Sequence, residues 1–314
     1  NANPAEPGEA CRPAVTAGAG LLVWGNIYRQ GDSLRVSSEV VDVASCNPIW
    51  PLDDVMIPVG EDPGPDLAVL AQSAAGAVAG QVDPRGSWSE QGTTPPPSLD
   101  GFLEVFAAER ASGRRKVEHL RRALEFDSTW LYPRLSLVLV YVLAGERYSS
   151  LADSQADLAW AHRDQGTPVE RALLDGYRAH LRGDREGTYE AARRVVDLNG
   201  APWDLANLAH EAKHTNRPRE AVQLLTDLDP RHPDLERNPF FWNDLAESHH
   251  MLGQYDEALD AAREGRLHLP ENQNLILSEA RALAALGHAD EALGMAQELE
   301  NRWGPSYSLL DAGG

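Results

Sequence analysis

The chain is short of lysine, cysteine and long apolar runs, and each shortage closes off a class of protein. Lysine stands only at Lys116 and Lys213, while arginine is plentiful. With 28 basic and 48 acidic residues the formal charge is −20 over 314 residues. That balance opposes nonspecific attraction to a nucleic acid, so no nucleic-acid partner is expected. The basic cluster Arg114, Arg115, Lys116, Arg121 and Arg122 reads as a solvated helix face. No stretch approaches the roughly 18 uninterrupted apolar residues that a membrane helix needs. The longest candidate, 135–144, suits a buried helix, and no membrane insertion is expected. The two cysteines, Cys11 and Cys46, are too few and too far apart for a zinc knuckle or a CxxC redox motif. They are either two inert thiols or one disulfide formed outside the cytosol. A GxSxG elbow, a P-loop and a GxGxxG fingerprint are missing too. The first residue is Asn1 rather than methionine, which reads as a processed chain or a fragment.

What is there is a repeat. Sliding residues 239–296 by 34 positions sets Ala246 on Ala280, Leu252 on Leu286, Gly253 on Gly287 and Asp256-Glu257 on Asp290-Glu291. Ala258, Leu259 and Ala262 fall on Ala292, Leu293 and Ala296 in the same register. A fixed period of about 34 marks a helix–turn–helix array. Leu252 and Leu286 anchor the end of a first helix before a glycine. The acidic pair after the turn sits where a second helix begins, favoured by its dipole. The small alanines let neighbouring helices approach, and one such hairpin cannot bury its apolar face alone. Trp242, Leu245, Ala246, Gly253, Tyr255, Ala258 and Pro270 stand at the spacings of the tetratricopeptide repeat (TPR) family, which this region resembles.

Upstream the period changes. Residues 1–14, rich in Pro, Ala, Gly and Glu, read as a flexible arm. The run 21–28 favours strand, Gly31-Asp32 gives a turn, and 33–41 largely alternates, which predicts a β-hairpin. A short strand at Ile49-Trp50 and an Ala-rich helix over 66–82 complete a small α/β module, 15–83. The string from Leu21 to Trp50 with its following helix resembles the second half of the TolB-like amino-terminal module, with Gly25, Gly31-Asp32 and Asp42 at the matching places. In bacteria that module precedes TPR arrays in sensor kinases and transcriptional regulators. Cys11 and Cys46 flank the hairpin strands, and a module of about 70 residues has a limited core, so the two are expected to be joined. The segment 84–97, with its three consecutive prolines, reads as an extended linker. Helical spacing then runs over 98–302 in about five hairpins, and 303–314 is a tail. The fold class expected is mainly α: a TPR-like solenoid after a small α/β module.

His210-Glu211-Ala212-Lys213-His214 matches HExxH, the zinc-peptidase pattern. The repeat accounts for this helix without a metal, and no companion motif fixes a third ligand, so no catalysis, metal or cofactor is expected. The TPR resemblance implies that first helices line an inner face. It assigns to that face Trp203, Asn207, His210 and Lys213 from one repeat, Phe240, Asn243, Glu247 and His250 from the next, and Asn274, Leu277 and Arg281 from the last. The expected function is a non-catalytic scaffold that holds a protein or peptide partner in this groove, with Asn243 and Arg281 exposed to it. The alternatives are a subunit of an extracellular or envelope assembly, joined to other copies through the arm and hairpin, or a zinc peptidase. An extracytoplasmic location, periplasmic or secreted, goes with the disulfide.

Overall fold

The computed structural model describes residues 7–52, 54–58, 64–81, 92–94, 96–232, 235, 238 and 240–303. It is mainly helical, a TPR-like array of helix pairs with a small antiparallel sheet near its start. Contacts divide the chain into residues 1–174 and residues 175–314. The division does not fall at the proline-rich segment.

In the first unit, α1 spans Pro7–Thr16, β1 Leu21–Gln30 and β2 Ser33–Asp42. The arm expected over 1–14 is thus helical from Pro7 onward. A proline in the first helical turn loses no hydrogen bond, and the composition hides this. Cys11, buried, is bonded to Cys46, 35 residues on. β1 and β2 pair antiparallel from Leu21↔Asp42 to Gln30↔Ser33, around the two residues Gly31 and Asp32. Gly31 has φ +63°, which a glycine adopts without strain at the first position of such a turn. On its other side β2 pairs with β3, Asn47–Pro51, and with β4, Val55–Pro58. β4 is an element the spacing does not reveal: four residues are too few to show alternation. Helix α2, Gly64–Gln81, lays Ala74, Ala77 and Val78 against Val40, Ile49, Trp50 and Leu52.

The proline-rich segment is not a free spacer where it is described. Thr93 is buried, and the indole N–H of Trp130 donates to the Thr94 carbonyl at 3.3 Å. Thr94 also donates to the fully buried Glu170 carboxylate at 2.5 Å. Helix α3, Leu99–Arg110, is capped by Ser98, whose hydroxyl accepts from Gly101 N–H at 3.0 Å. A Cβ on Gly76 of α2 would lie 2.5 Å from the Ser98 carbonyl carbon, so α2 and this cap touch backbone to backbone. These contacts fuse the module to the helices that follow: α4 (Gly113–Phe126), α5 (Leu131–Leu143), α6 (Ser149–Ala161) and the start of α7 (Pro168–Leu181). Residues 1–6, 84–91, 95 and 304–314 of the expected arm, linker and tail, and 82–83 at the end of the expected module, lie outside the described residues.

The second unit continues with α8 (Arg185–Leu198), α9 (Pro202–His214), α10 (Pro218–Thr226), α11 (Phe241–Met251), α12 (Tyr255–His268), α13 (Gln273–Ala285) and α14 (Ala289–Trp303). From α3 to α14 the helices succeed one another as six pairs, one more than spacing alone indicates. First helices in this unit end alike. Gly183, Asn216, Gly253 and Gly287 all have φ between +61° and +87°. The N–H after each reaches back to a carbonyl five residues earlier: Asp184 to Ala179, Arg217 to Ala212, Gln254 to His249 and His288 to Leu283, at 2.8–3.0 Å. This is the Schellman closure that a left-handed residue permits. Asn216, which tolerates that conformation, stands where the other turns have glycine.

Small residues set the helix spacing. Ala209, Ala212, Ala246, Ala258, Ala262, Ala280 and Ala282 are all buried. At Gly265 an added Cβ would lie 2.5 Å from Trp242 Cβ and 2.9 Å from Leu275 Cδ2, so two helices meet there through hydrogen alone. Trp242 packs on the core, as its place in the repeat implies, and stacks on His268 at 5.9 Å. The repeat partners Leu259 and Leu293 differ: the first is buried, the second exposed, since α14 is the last described helix.

Candidate binding groove

The first helices α9, α11 and α13 share one face, and a cavity of about 400 Å³ opens on it. Its walls include Lys213 and His214 from α9, Glu247, His250 and Met251 from α11, and Ser278 and Arg281 from α13. The repeat explains the convergence, because residues one period apart stand side by side on adjacent first helices.

A charged chain ties the helices beneath the cavity. Lys213 Nζ donates to Asp244 Oδ1 at 2.7 Å and to Glu247 Oε2. His210 Nδ1 lies 2.9 Å from Asp244 Oδ2. Glu247 Oε1 is 3.6 Å from Arg281 Nη1, which carries the chain on to α13. Asn243 Oδ1 accepts from Ser278 Oγ at 3.0 Å, a second link between the same helices. The Lys213 and Asp244 side chains retain 7% and 2% of their exposure, so the pair is buried. Burial would lower Lys213, but Asp244 and Glu247 outweigh it and raise the ammonium above its ordinary value. Burial would raise Asp244, but the hydrogen bonds and charges of His210 and Lys213 hold it below the usual carboxylate range. Desolvation, with His210 and Lys213 adding to it, pushes His214 down to about 4, although the residue keeps an exposed surface. Burial and the Arg281 charge lower His250 as well. At neutral pH the groove therefore presents uncharged imidazoles at His214 and His250 between fixed ionic groups.

The residues expected on this face differ in their exposure. Trp203, Asn207, Phe240 and Asn274 are exposed, while His210, Glu247, His250, Leu277 and Arg281 are half-buried. Phe240 lies 5.3 Å from His210, whose ring meets His214 edge to face at 4.5 Å. Asn243 is a correction to the expected exposure: it is buried, with its Oδ1 spent on Ser278, and Lys213 is buried too, with its ammonium spent on Asp244 and Glu247. Their helix position is the expected one, but partners on the next helix close over them. Arg281 faces the cavity while its Nε, buried, has no hydrogen-bond partner among the described residues. Sequence reasoning missed Asp244, the centre of the network. Its signal was the acidic pair Asp244 and Glu247, three apart on one helix, facing the lone lysine of the preceding repeat. At the HExxH match, Glu211 is half-buried, and desolvation raises its carboxyl. Among the described residues no group of three or more His, Cys, Asp or Glu side chains is disposed to hold a metal ion.

No family model matches the chain. Over 161 residues it is 25% identical to the TPR repeat-containing protein YpiA of Bacillus subtilis, a match covering 50% of this chain and 35% of that protein. The chain thus spans about a third of that relative's length. Among solved structures it is similar to PilW, a type IV pilus biogenesis factor, with TM-score 0.51 and 13% identity over 68% of this chain and 96% of PilW. A second neighbour is Pseudomonas aeruginosa PilF, with TM-score 0.45 and 20% identity over 68% and 93% of the two chains. In its helical part the chain has the fold of a TPR repeat protein, and the 34-residue register of its last repeats is in keeping with that fold. No helix among the described residues is long and apolar enough to cross a membrane.

Proposed function

We propose that the protein is a non-catalytic scaffold that binds an extended polypeptide segment along the shared face of α9, α11 and α13. The observation that carries this reading is the open cavity on three consecutive first helices, to whose edge Phe240 is linked through His210 and His214, while Trp203 is exposed at the start of α9. Exposed aromatics supply contact area at low entropic cost. The Arg281 guanidinium offers a two-point contact to a carboxylate or a pair of carbonyls. The Lys213–Asp244 network beneath serves to fix the helices, so that the groove is formed before the partner arrives. The Cys11–Cys46 bond supports an extracytoplasmic setting, where such bonds persist.

The test is selection of binding peptides from a random library on the whole chain, followed by affinity measurements with variants. Phe240→Ala with Arg281→Ala should lower the affinity of selected peptides at least about tenfold, since hot-spot truncations exceed 1.4 kcal/mol. Tyr28→Ala, on the hairpin, should leave it unchanged. Full affinity in the groove variant, with loss in Tyr28→Ala, would move the site to the N-terminal module.

A further inference from the structure

The outer edge of β1 is open: among the described residues no strand pairs with it. The ladder with β2 determines which backbone groups face outward. Val43 N–H donates to the Gly20 carbonyl at 3.0 Å, so Gly20 and Val43 form a bonded pair in the antiparallel register. Bonded pairs recur at every second residue. Leu22, Trp24, Asn26, Tyr28 and Gln30 therefore spend their N–H and C=O on β2. Leu21, Val23, Gly25, Ile27 and Arg29 direct theirs to the open edge. Native edges are usually blunted by lysine, proline, bulges or inward charge. From Leu21 to Tyr28 β1 carries none of these, and Ile27 and Val23 remain 66% and 41% exposed. The strand's one charge, Arg29, is turned back onto the hairpin, donating from Nε to the Gly31 carbonyl at 3.0 Å.

We propose that this edge is a self-association surface, where β1 of a second copy pairs antiparallel about a two-fold axis at Gly25. The sequence of β1 is its own complement in that register. Val23 stands opposite the second copy's Ile27, and Ile27 opposite its Val23. Leu22 meets Tyr28 in the same reciprocal way on the other face of the sheet. Arg29 faces Leu21, so no like charges are opposed. The outward-facing residues pair with one another, as a bonded ladder requires. Sliding the register by two residues sets Val23 against Arg29 or against Gly25 and loses the apolar match. Gly25 itself is fixed by β2, since an added Cβ would lie 2.5 Å from the Ser37 carbonyl oxygen. The contact is isologous and closes at two copies. The two sheets become one, with the α2 helices on the same face.

The experiment is light scattering coupled to size-exclusion chromatography of the whole chain across a wide concentration range. Physiological salt is used, where repulsion between two chains is screened beyond about 8 Å. A reversible dimer is the expected result, and a monomer throughout overturns the proposal. Ile27→Pro removes an outward N–H and leaves the β1–β2 ladder intact. It should give a monomer with an unchanged circular-dichroism spectrum, and a dimer that persists in a folded Ile27→Pro chain places the contact elsewhere. If Ile27→Pro fails to fold, Ile27→Lys carries the same expectation. Register is read by oxidation: Val23→Cys with Ile27→Cys should cross-link two chains efficiently, and either single variant should not. Equal cross-linking by a single variant overturns the Gly25-centred register. A monomer whose edge instead captures an unrelated strand peptide also counts against a second copy as the occupant.

Discussion

Replacing Lys213 with methionine should destabilise the protein by about 3–5 kcal/mol, the cost of leaving one partner of a buried ion pair uncompensated. Methionine fills the space of the aliphatic stem, so little of the loss comes from a cavity. What remains is the Asp244 carboxylate, 2% exposed and stripped of the ammonium 2.7 Å away. His210 still reaches Asp244 Oδ2 at 2.9 Å, which puts the expected loss at the lower end of that range, about 3 kcal/mol. Glu247 adds little, because its side chain is 30% exposed and a half-solvated pair is worth about 0–1 kcal/mol. Urea unfolding followed by far-ultraviolet circular dichroism measures the loss. The apolar double variant Lys213→Met with Asp244→Leu should recover most of it, since both charges are then gone. A single-variant loss below about 1 kcal/mol would refute the reasoning, because such a pair is solvated and not buried. The pair also has a pH signature. Asp244 sits below its ordinary 3.8 in the folded protein, so its contribution is complete above that value. As the pH falls through 3.8 the unfolded chain takes up the proton first, and the contribution is lost on the way to the folded value.

Other outcomes are equally specific. Denatured, unreduced protein should show no free thiol, and reduction should cost the first unit about 4 kcal/mol for a closed loop of 35 residues, read as a lower urea midpoint. Gly265→Ala should cost about 1–3 kcal/mol by overpacking against Trp242 and Leu275, whereas Gly294→Ala, with open space around it, should be neutral or stabilising; thermal melts compare the two. His214 should titrate well below 6.5 by nuclear magnetic resonance. Because its folded value is depressed to about 4, its stabilising share is present above 6.5 and declines as the pH falls from there toward 4. A midpoint at the ordinary imidazole value would mean that its flank is solvated.

Much of the helical architecture was legible because it is local. The register of 239–296 depends on turn residues and alanine spacing, and both appear in the structure as the positive-φ closures at Gly253 and Gly287 and the buried Ala246 and Ala280. The hairpin was legible for the same reason, through Gly31-Asp32 and the alternation after it. β4 and the helical start at Pro7 were not, because four strand residues and a proline-led turn carry no period. The groove was half-legible. Family spacing assigns residues to one helix face, but whether a polar side chain there is open depends on what the next helix opposes to it. Asp244 faces Lys213, and Ser278 faces Asn243, and neither pairing follows from a residue's own repeat.

The Cys11–Cys46 bond closes a covalent ring that contains both long strands of the sheet. A protease that cuts at the exposed turn, Gly31-Asp32, opens the chain without releasing a fragment. The two halves stay joined through sulfur, and β1 and β2 can find each other again as parts of one molecule, at the high effective concentration of a short tether. A nicked chain would run as one species on a gel until reductant is added. Only then would the hairpin become two peptides that must meet by diffusion.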